Sequence, residues 1–331
     1  MLFFRDFKIL TLKTLLSLFN SITGKKQSEQ FEYTDNAEEA YLIMSEALSS
    51  NEPCMIARFG AFELNTVVNY IGVTQKKRSI LKYITGNQLQ WWWNEKLFFH
   101  MSNNAGFFPS DERNIIKFCE LMLQDLKEVD ILGSWLKKEN FLNKDLVYNK
   151  IHLRFIEPFW SKKPWTEKLK GKKILVVHPF ALLIKEQYKK RKFLFNNENV
   201  LPEFKSFEVL EAVQSAAGQE NSFENWFEAL NYMKTEINKF DYDVCLIGAG
   251  AYGFPLAAYV KRSGKKAIHM GGSLQLLFGI RGNRWDNPNY GVKEWGIKEG
   301  SYSDLVNEHW VKPSDKFRPK NADQVEGACY W

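Results

Sequence analysis

The sequence predicts an α/β fold built on a doubly wound, mostly parallel sheet and preceded by an amphipathic helix. Short apolar runs recur along the chain and end in Gly, His or a turn, and helical periodicity fills the intervals between them. One strand-turn-helix passage also carries glycines at GxGxxG spacing, which makes the sheet Rossmann-like. A chain of 331 residues is long enough to bury a core without covalent staples, and 26 Phe and 11 Trp argue against disorder.

The first element is the helix. At 100° per residue Leu12, Leu15, Leu16, Leu18, Phe19 and Ile22 fall on one arc, with Lys13, Thr14, Ser17, Asn20 and Ser21 opposite. Residues 1–26 carry Arg5, Lys8, Lys13, Lys25 and Lys26 against Asp6 alone. That charge suits an anionic inner leaflet, and packing of the apolar arc on the main domain is the competing expectation. No apolar run approaches the roughly 18 residues of a membrane span, and no small-residue cleavage site follows, so a secretory signal is not expected. A linker from Gly24 to Phe31 sets the division expected: residues 1–30 as surface helix and linker, 31–331 as the α/β domain.

Asp35 with Glu38 opens a helix through about Leu48 in capping-box style. Strands are expected at Cys54–Phe59, Val129–Leu132, Ile174–His178, Val244–Ile247 and Ala267–Met270, and helices at Asp111–Lys127, Ser222–Lys239 and Tyr252–Ser263. Cys54, Cys119, Cys245 and Cys329 have no CxxC spacing and read as buried free thiols of a reducing, cytoplasmic compartment. Neither they nor the five histidines are spaced as structural zinc ligands. The net charge of +6 sits largely in the first residues, without the basic stripe of a nucleic-acid binder.

The glycine turn is Gly248-Ala-Gly250-Ala-Tyr-Gly253. Such spacing lets backbone N–H groups approach a diphosphate at a helix N-terminus. A dinucleotide would call for a carboxylate at the end of the next strand, which instead reads Ala267-Ile-His269-Met-Gly271-Gly272. A nucleoside diphosphate sugar is therefore preferred over NAD(P), and a dinucleotide-dependent oxidoreductase is the second reading. Arg281 and Arg284, bracketed by glycines and Trp285, form an expected mobile clamp for phosphate oxygens. His178 and His269 fall at strand ends and are binding candidates.

The segment Cys54-Met-Ile-Ala-Arg58-Phe59-Gly60-Ala61-Phe62-Glu63, taken with residues 248–285, resembles the GT-D fold glycosyltransferases of bacterial glycan and glycoprotein assembly. The segments Lys173–Phe180 and Glu326–Trp331 also look like surface-polysaccharide biosynthesis proteins of this fold. The resemblance implies hexose transfer from a nucleoside diphosphate sugar to a surface-polysaccharide or lipid-linked glycan hydroxyl. It implies Arg58 and Gly60 at the donor, and a Mg²⁺ or Mn²⁺ ion held by an Asp-x-Glu pair. Glu63 keeps the second carboxylate of that pair, as metal ligand or catalytic base, whereas Ala61 stands where the first is expected. That departure also motivates a third reading, a non-catalytic sugar-nucleotide-binding protein. Glu157, acidic amid Phe155, Pro158, Phe159 and Trp160, is a further catalytic candidate ranked behind Glu63. Trp91–Trp93 with the Asn103–Pro109 loop, and the basic run Lys185–Lys192, are weaker candidates for acceptor and phosphate contact.

Overall fold

The computed structural model describes residues 2–24, 32–142 and 145–331, with side chains from residue 7 onward in the first segment. The linker after Gly24, including Lys25 and Lys26, and the side chains of Arg5 and Asp6 lie outside the described residues.

Seven strands form one parallel sheet: β1 (Cys54–Ala57), β2 (Ile131–Ser134), β3 (Asn149–His152), β4 (Lys173–His178), β5 (Ser206–Glu211), β6 (Val244–Ile247) and β7 (Lys266–His269), in spatial order 3-2-1-7-6-4-5. The inner strands are buried apart from the half-buried Lys173 and Lys266 that open β4 and β7, because helices cover both faces. Met55, Ala57, Leu175, Val177, Cys245 and Ile247 enter one core layer, while Cys54, Ile56, Ile174, Val176, Val244 and Leu246 enter the other. All four cysteines are buried and free.

The sheet holds two strands that the apolar runs did not announce, β3 and β5. Both are edge strands. In β3 only Ile151 and His152 are buried, and no residue of β5 is fully buried, so neither needs a continuous apolar run. The β2 strand lies two residues further along than expected, because a short helical turn over Leu126–Glu128 carries the chain past Val129.

Helix caps differ from the expected ones in one place. Helix α2 (Ala37–Ser49) is capped by Asn36, whose side-chain oxygen accepts from the amides of Glu38 (2.9 Å) and Glu39 (3.1 Å). Asp35 instead pairs with Arg154 at 2.8 Å, so the anticipated Asp35 cap does not form. Asp111 and Asn225 cap the helices Glu112–Asp125 and Trp226–Ile237.

The first helix, α1 (Leu2–Thr23), packs on a one-turn helix at Ile80–Ile84. Its apolar arc proves to be two faces. Leu12 is buried and Leu16 and Phe19 half-buried, while Leu15, Leu18 and Ile22, together with Phe7 and Leu10, are exposed. Residues 12, 16 and 19 lie on one side of the 100° wheel and 15, 18 and 22 on the next, so one partner cannot cover all six. No helix among the described residues is long and apolar enough to cross a membrane.

Candidate functional site

The strand order places a topological switch between β4 and β6, whose onward connections run in opposite directions. In open parallel sheets a ligand crevice opens at the carboxyl ends beside such a point. A cavity of about 360 Å³ lies there, within the range of small-ligand sites. Each central strand contributes its exit: Arg58 and Gly60 after β1, Gly271 and Gly272 after β7, Gly248 and Gly250 after β6, and His178 on β4. His269, Glu63 and Arg284 complete the set of expected residues that line it.

Arg58 follows β1 directly, and its guanidinium stands over the Trp135 ring at 5.3 Å. The Trp135 indole is fixed in turn by donation to the Phe59 carbonyl at 3.1 Å. Helix α3 (Ala61–Thr74) starts two residues after Phe59, so Glu63 sits in its first turn. The Glu63 carboxylate folds back over Gly60 so closely that a Cβ at Gly60 would lie 1.9 Å from Oε2. Burial raises the Glu63 pKa above the ordinary carboxylate range; its own backbone amide and Arg58 lower it, and Glu326 raises it.

The two histidines are neutral polar groups of the floor. His178 Nδ1 accepts the Phe180 amide at 2.9 Å, which leaves the proton on Nε2. Burial pushes both His178 and His269 down to about 3, with Arg58 adding to the effect at His269. Gly250 has φ +51°, and the chain turns there into the helix Gly253–Arg262. Gly253 does not line the cavity. It is a glycine because the His269 ring lies against it: a Cβ would come within 2.1 Å of His269 Cε1.

The other arm of the cleft differs from the expected clamp. Arg281 points away from the cavity to Asp286 at 3.2 Å, an acid that also pairs with Lys312. Arg284 reaches the cavity but is no mobile finger. It is paired with Glu326 and lies over the Tyr330 ring at 4.8 Å, with Tyr290 at 5.8 Å. Burial lowers its pKa, but Tyr330, Cys329, Tyr290 and Glu326 more than offset this and hold it charged.

Glu157 is also placed otherwise than an active acid would be. It is buried outside the main cavity, and Oε2 accepts from Trp160 Nε1 and Tyr302 O–H, each at 2.8 Å. Burial pushes it up to about 7 despite those donors, so it anchors the aromatic wall behind Tyr290 and Trp295.

Trp91 and Trp92 pack edge-on against Tyr83, and Trp93 against Phe98; none lines the cavity, although Asn104 and Ala105 of the following loop do. Within the basic run, Lys185, Lys189 and Arg191 face Glu208, Glu186 and Glu203. The residues that sequence reasoning missed are Trp135, Ser215, Tyr252, Tyr290, Trp295 and Gln275. Trp135 had a signal, since it directly follows the true end of β2. The distinctive Glu326–Trp331 segment does reach the site, through Glu326, Tyr330 and Trp331.

The residues present do not fit a divalent cation. Ala61 lines the cavity but offers no side-chain ligand, Glu326 is committed to Arg284, and no three His, Cys, Asp or Glu residues are grouped as metal ligands among the described residues.

Fold and site thus define a parallel, doubly wound α/β protein with one charged, aromatic-walled cleft at its strand ends. No family model and no curated protein sequence matches the chain. Among solved structures it aligns with a protein described as a new glycosyltransferase (DUF1792) from Streptococcus sanguinis, at 12% identity and a TM-score of 0.36, covering 87% of this chain and 96% of that one. A second, described as the highly conserved domain of unknown function 1792 with a distinct glycosyltransferase fold, aligns at 13% identity and a TM-score of 0.36, covering 85% and 91%.

Proposed function

We propose that this chain is a glycosyltransferase that moves a hexose from a nucleoside diphosphate sugar to a hydroxyl of a surface-polysaccharide or lipid-linked glycan. The observation that carries the reading is the convergence of Arg58, Glu63, the Gly248–Gly250 turn and two neutral histidines on one cleft at the strand carboxyl ends. The donor diphosphate lies between the glycine turn and Arg58. The sugar faces Glu63, and the aromatic wall receives the acceptor.

In the reaction the acceptor oxygen bonds to the anomeric carbon and gives its proton to the Glu63 carboxylate. The bond from the anomeric carbon to the diphosphate oxygen breaks, and its electron pair leaves on the nucleoside diphosphate beside the Arg58 charge. A base whose pKa is raised from the ordinary carboxylate value suits that proton transfer. A dinucleotide oxidoreductase is disfavoured, because the strand beside the glycine turn ends in His269 where a ribose-binding carboxylate is needed.

The enzyme works on the cytoplasmic side, against the inner leaflet. Phe7, Leu10, Leu18 and Ile22 of α1 are exposed, and so are Ile80 and Leu81 of the helix it packs on. Lys8 and Lys13 of α1, Lys82 of that second helix, and Lys76, Lys77 and Arg78 in the connection just before it are exposed, and the chain has no Asp or Glu from residue 64 to residue 94. Apolar side chains beside these cations fit an anionic lipid surface, at about 1 kcal/mol per Lys or Arg.

A thermal-shift panel of UDP- and GDP-sugars beside NAD and NADP tests the assignment. A nucleotide sugar should raise Tm by mass action, and the dinucleotides should leave it unchanged. The reverse pattern rejects the transferase.

A further inference from the structure

A glycosyl donor carries two adjacent phosphates, and their charge must be met as the anomeric bond breaks. Where an Asp-x-Glu pair holds a divalent ion, the ion meets it. A Mg²⁺ or Mn²⁺ ion is held through one or two carboxylates that approach within about 2.1 Å, together with the phosphates themselves. In this chain the first position of the pair is Ala61. The second, Glu63, is turned back over Gly60 and faces Arg58. Glu326, the other carboxylate of the cavity, is already paired with Arg284.

Arg58 is in the opposite condition. It has no ion pair among the described residues, it lines the cavity, and its charge is permanent. Two contacts fix its direction. Trp135 supports the guanidinium from one side, and the Gly271 backbone packs beside it, where a Cβ would lie 3.5 Å from Cδ and Nη1. A planar cation held in this way offers paired N–H donors to phosphate oxygens, which is the task a bridging metal performs elsewhere.

We infer that this chain binds the diphosphate of its donor without a divalent cation, with Arg58 as the fixed counter-charge. The inference rests on the transferase reading and adds how the leaving group is held.

Calorimetry of the full chain with UDP and with GDP, each in EDTA and in MnCl₂, tests it. The nucleotide that binds shows the same Kd in both buffers. Arg58→Ala weakens it about tenfold or more, the loss of one charge-assisted contact, and Arg58→Lys falls between. Binding that disappears in EDTA and returns with Mn²⁺ overturns the inference and leaves the transferase reading standing. If neither nucleotide binds in either buffer, the transferase reading fails and the inference with it.

A second measurement does not depend on Arg58 variants folding. The electron paramagnetic resonance signal of free Mn²⁺, measured in a solution that already holds the nucleotide, stays at that level when wild-type protein is added. It falls with Ala61→Asp, which restores the missing carboxylate. A fall below the level set by the nucleotide alone, on adding wild-type protein, contradicts the inference.

Discussion

Glu157 shows how a residue that reads as catalytic in sequence is decided by its partners. Two donors converge on one of its oxygens inside an aromatic shell, and burial lifts its pKa from 4.5 to about 7. A carboxyl with a raised folded-state pKa contributes stability that is complete below the unfolded value and is lost as pH rises through the folded one. Glu157→Gln keeps an oxygen for both donors and cannot ionise. It should therefore match wild type near pH 4.5 and exceed it in Tm above pH 7, as scanning calorimetry across that window will show. His178 and His269 act with the opposite sign. Their pKa values are depressed to about 3, so their contribution is present above 6.5 and is lost as pH falls toward 3. Gly253→Ala should destabilise the protein by roughly 1–3 kcal/mol in urea denaturation, since the new methyl must displace the buried His269 ring. Gly248, Gly250 and both histidines stood out in the sequence because strand ends and turn spacing have local signatures, whereas Arg58 and Gly60 were carried by the family resemblance alone. The fates of Arg281 and Arg284 were not, because Asp286 and Glu326 decide them, the latter 42 residues away.

At the scale of elements, five of the seven strands were visible as apolar runs, because a strand buried on both faces must be apolar throughout. Edge strands escape that demand, and β3 and β5 carry Asn149, Lys150, Glu208 and Glu211 within them. Helix α1 was legible as amphipathic, but a single arc could not reveal that the Ile80–Ile84 helix would cover only part of it. Leu18 is 53% exposed, whereas Leu12 on the docked face is 5% exposed. Leu18→Glu should thus leave Tm near wild type and reduce co-sedimentation with phosphatidylserine-containing vesicles, while neutral phosphatidylcholine vesicles retain little of either protein. Equal sedimentation of wild type and variant at low salt would show that this face meets something other than lipid.

Over the whole molecule, parallel order brings β1, β4, β6 and β7 side by side although about 210 residues separate the first from the last. That juxtaposition makes Arg58 and Glu63 neighbours of the glycine turn and of the C-terminal Glu326 and Tyr330, so one cleft is assembled from chain segments far apart. Hexosyl transfer from this cleft is the central claim, and the most direct measurement is transfer itself. Purified protein with radiolabelled nucleotide sugars and a membrane fraction as acceptor should incorporate hexose into lipid-extractable or polymeric glycan. It should release an equal amount of nucleoside diphosphate, and Glu63→Gln should lower the rate about a hundredfold or more. Incorporation that proceeds undiminished in Glu63→Gln would contradict the assignment of this cleft.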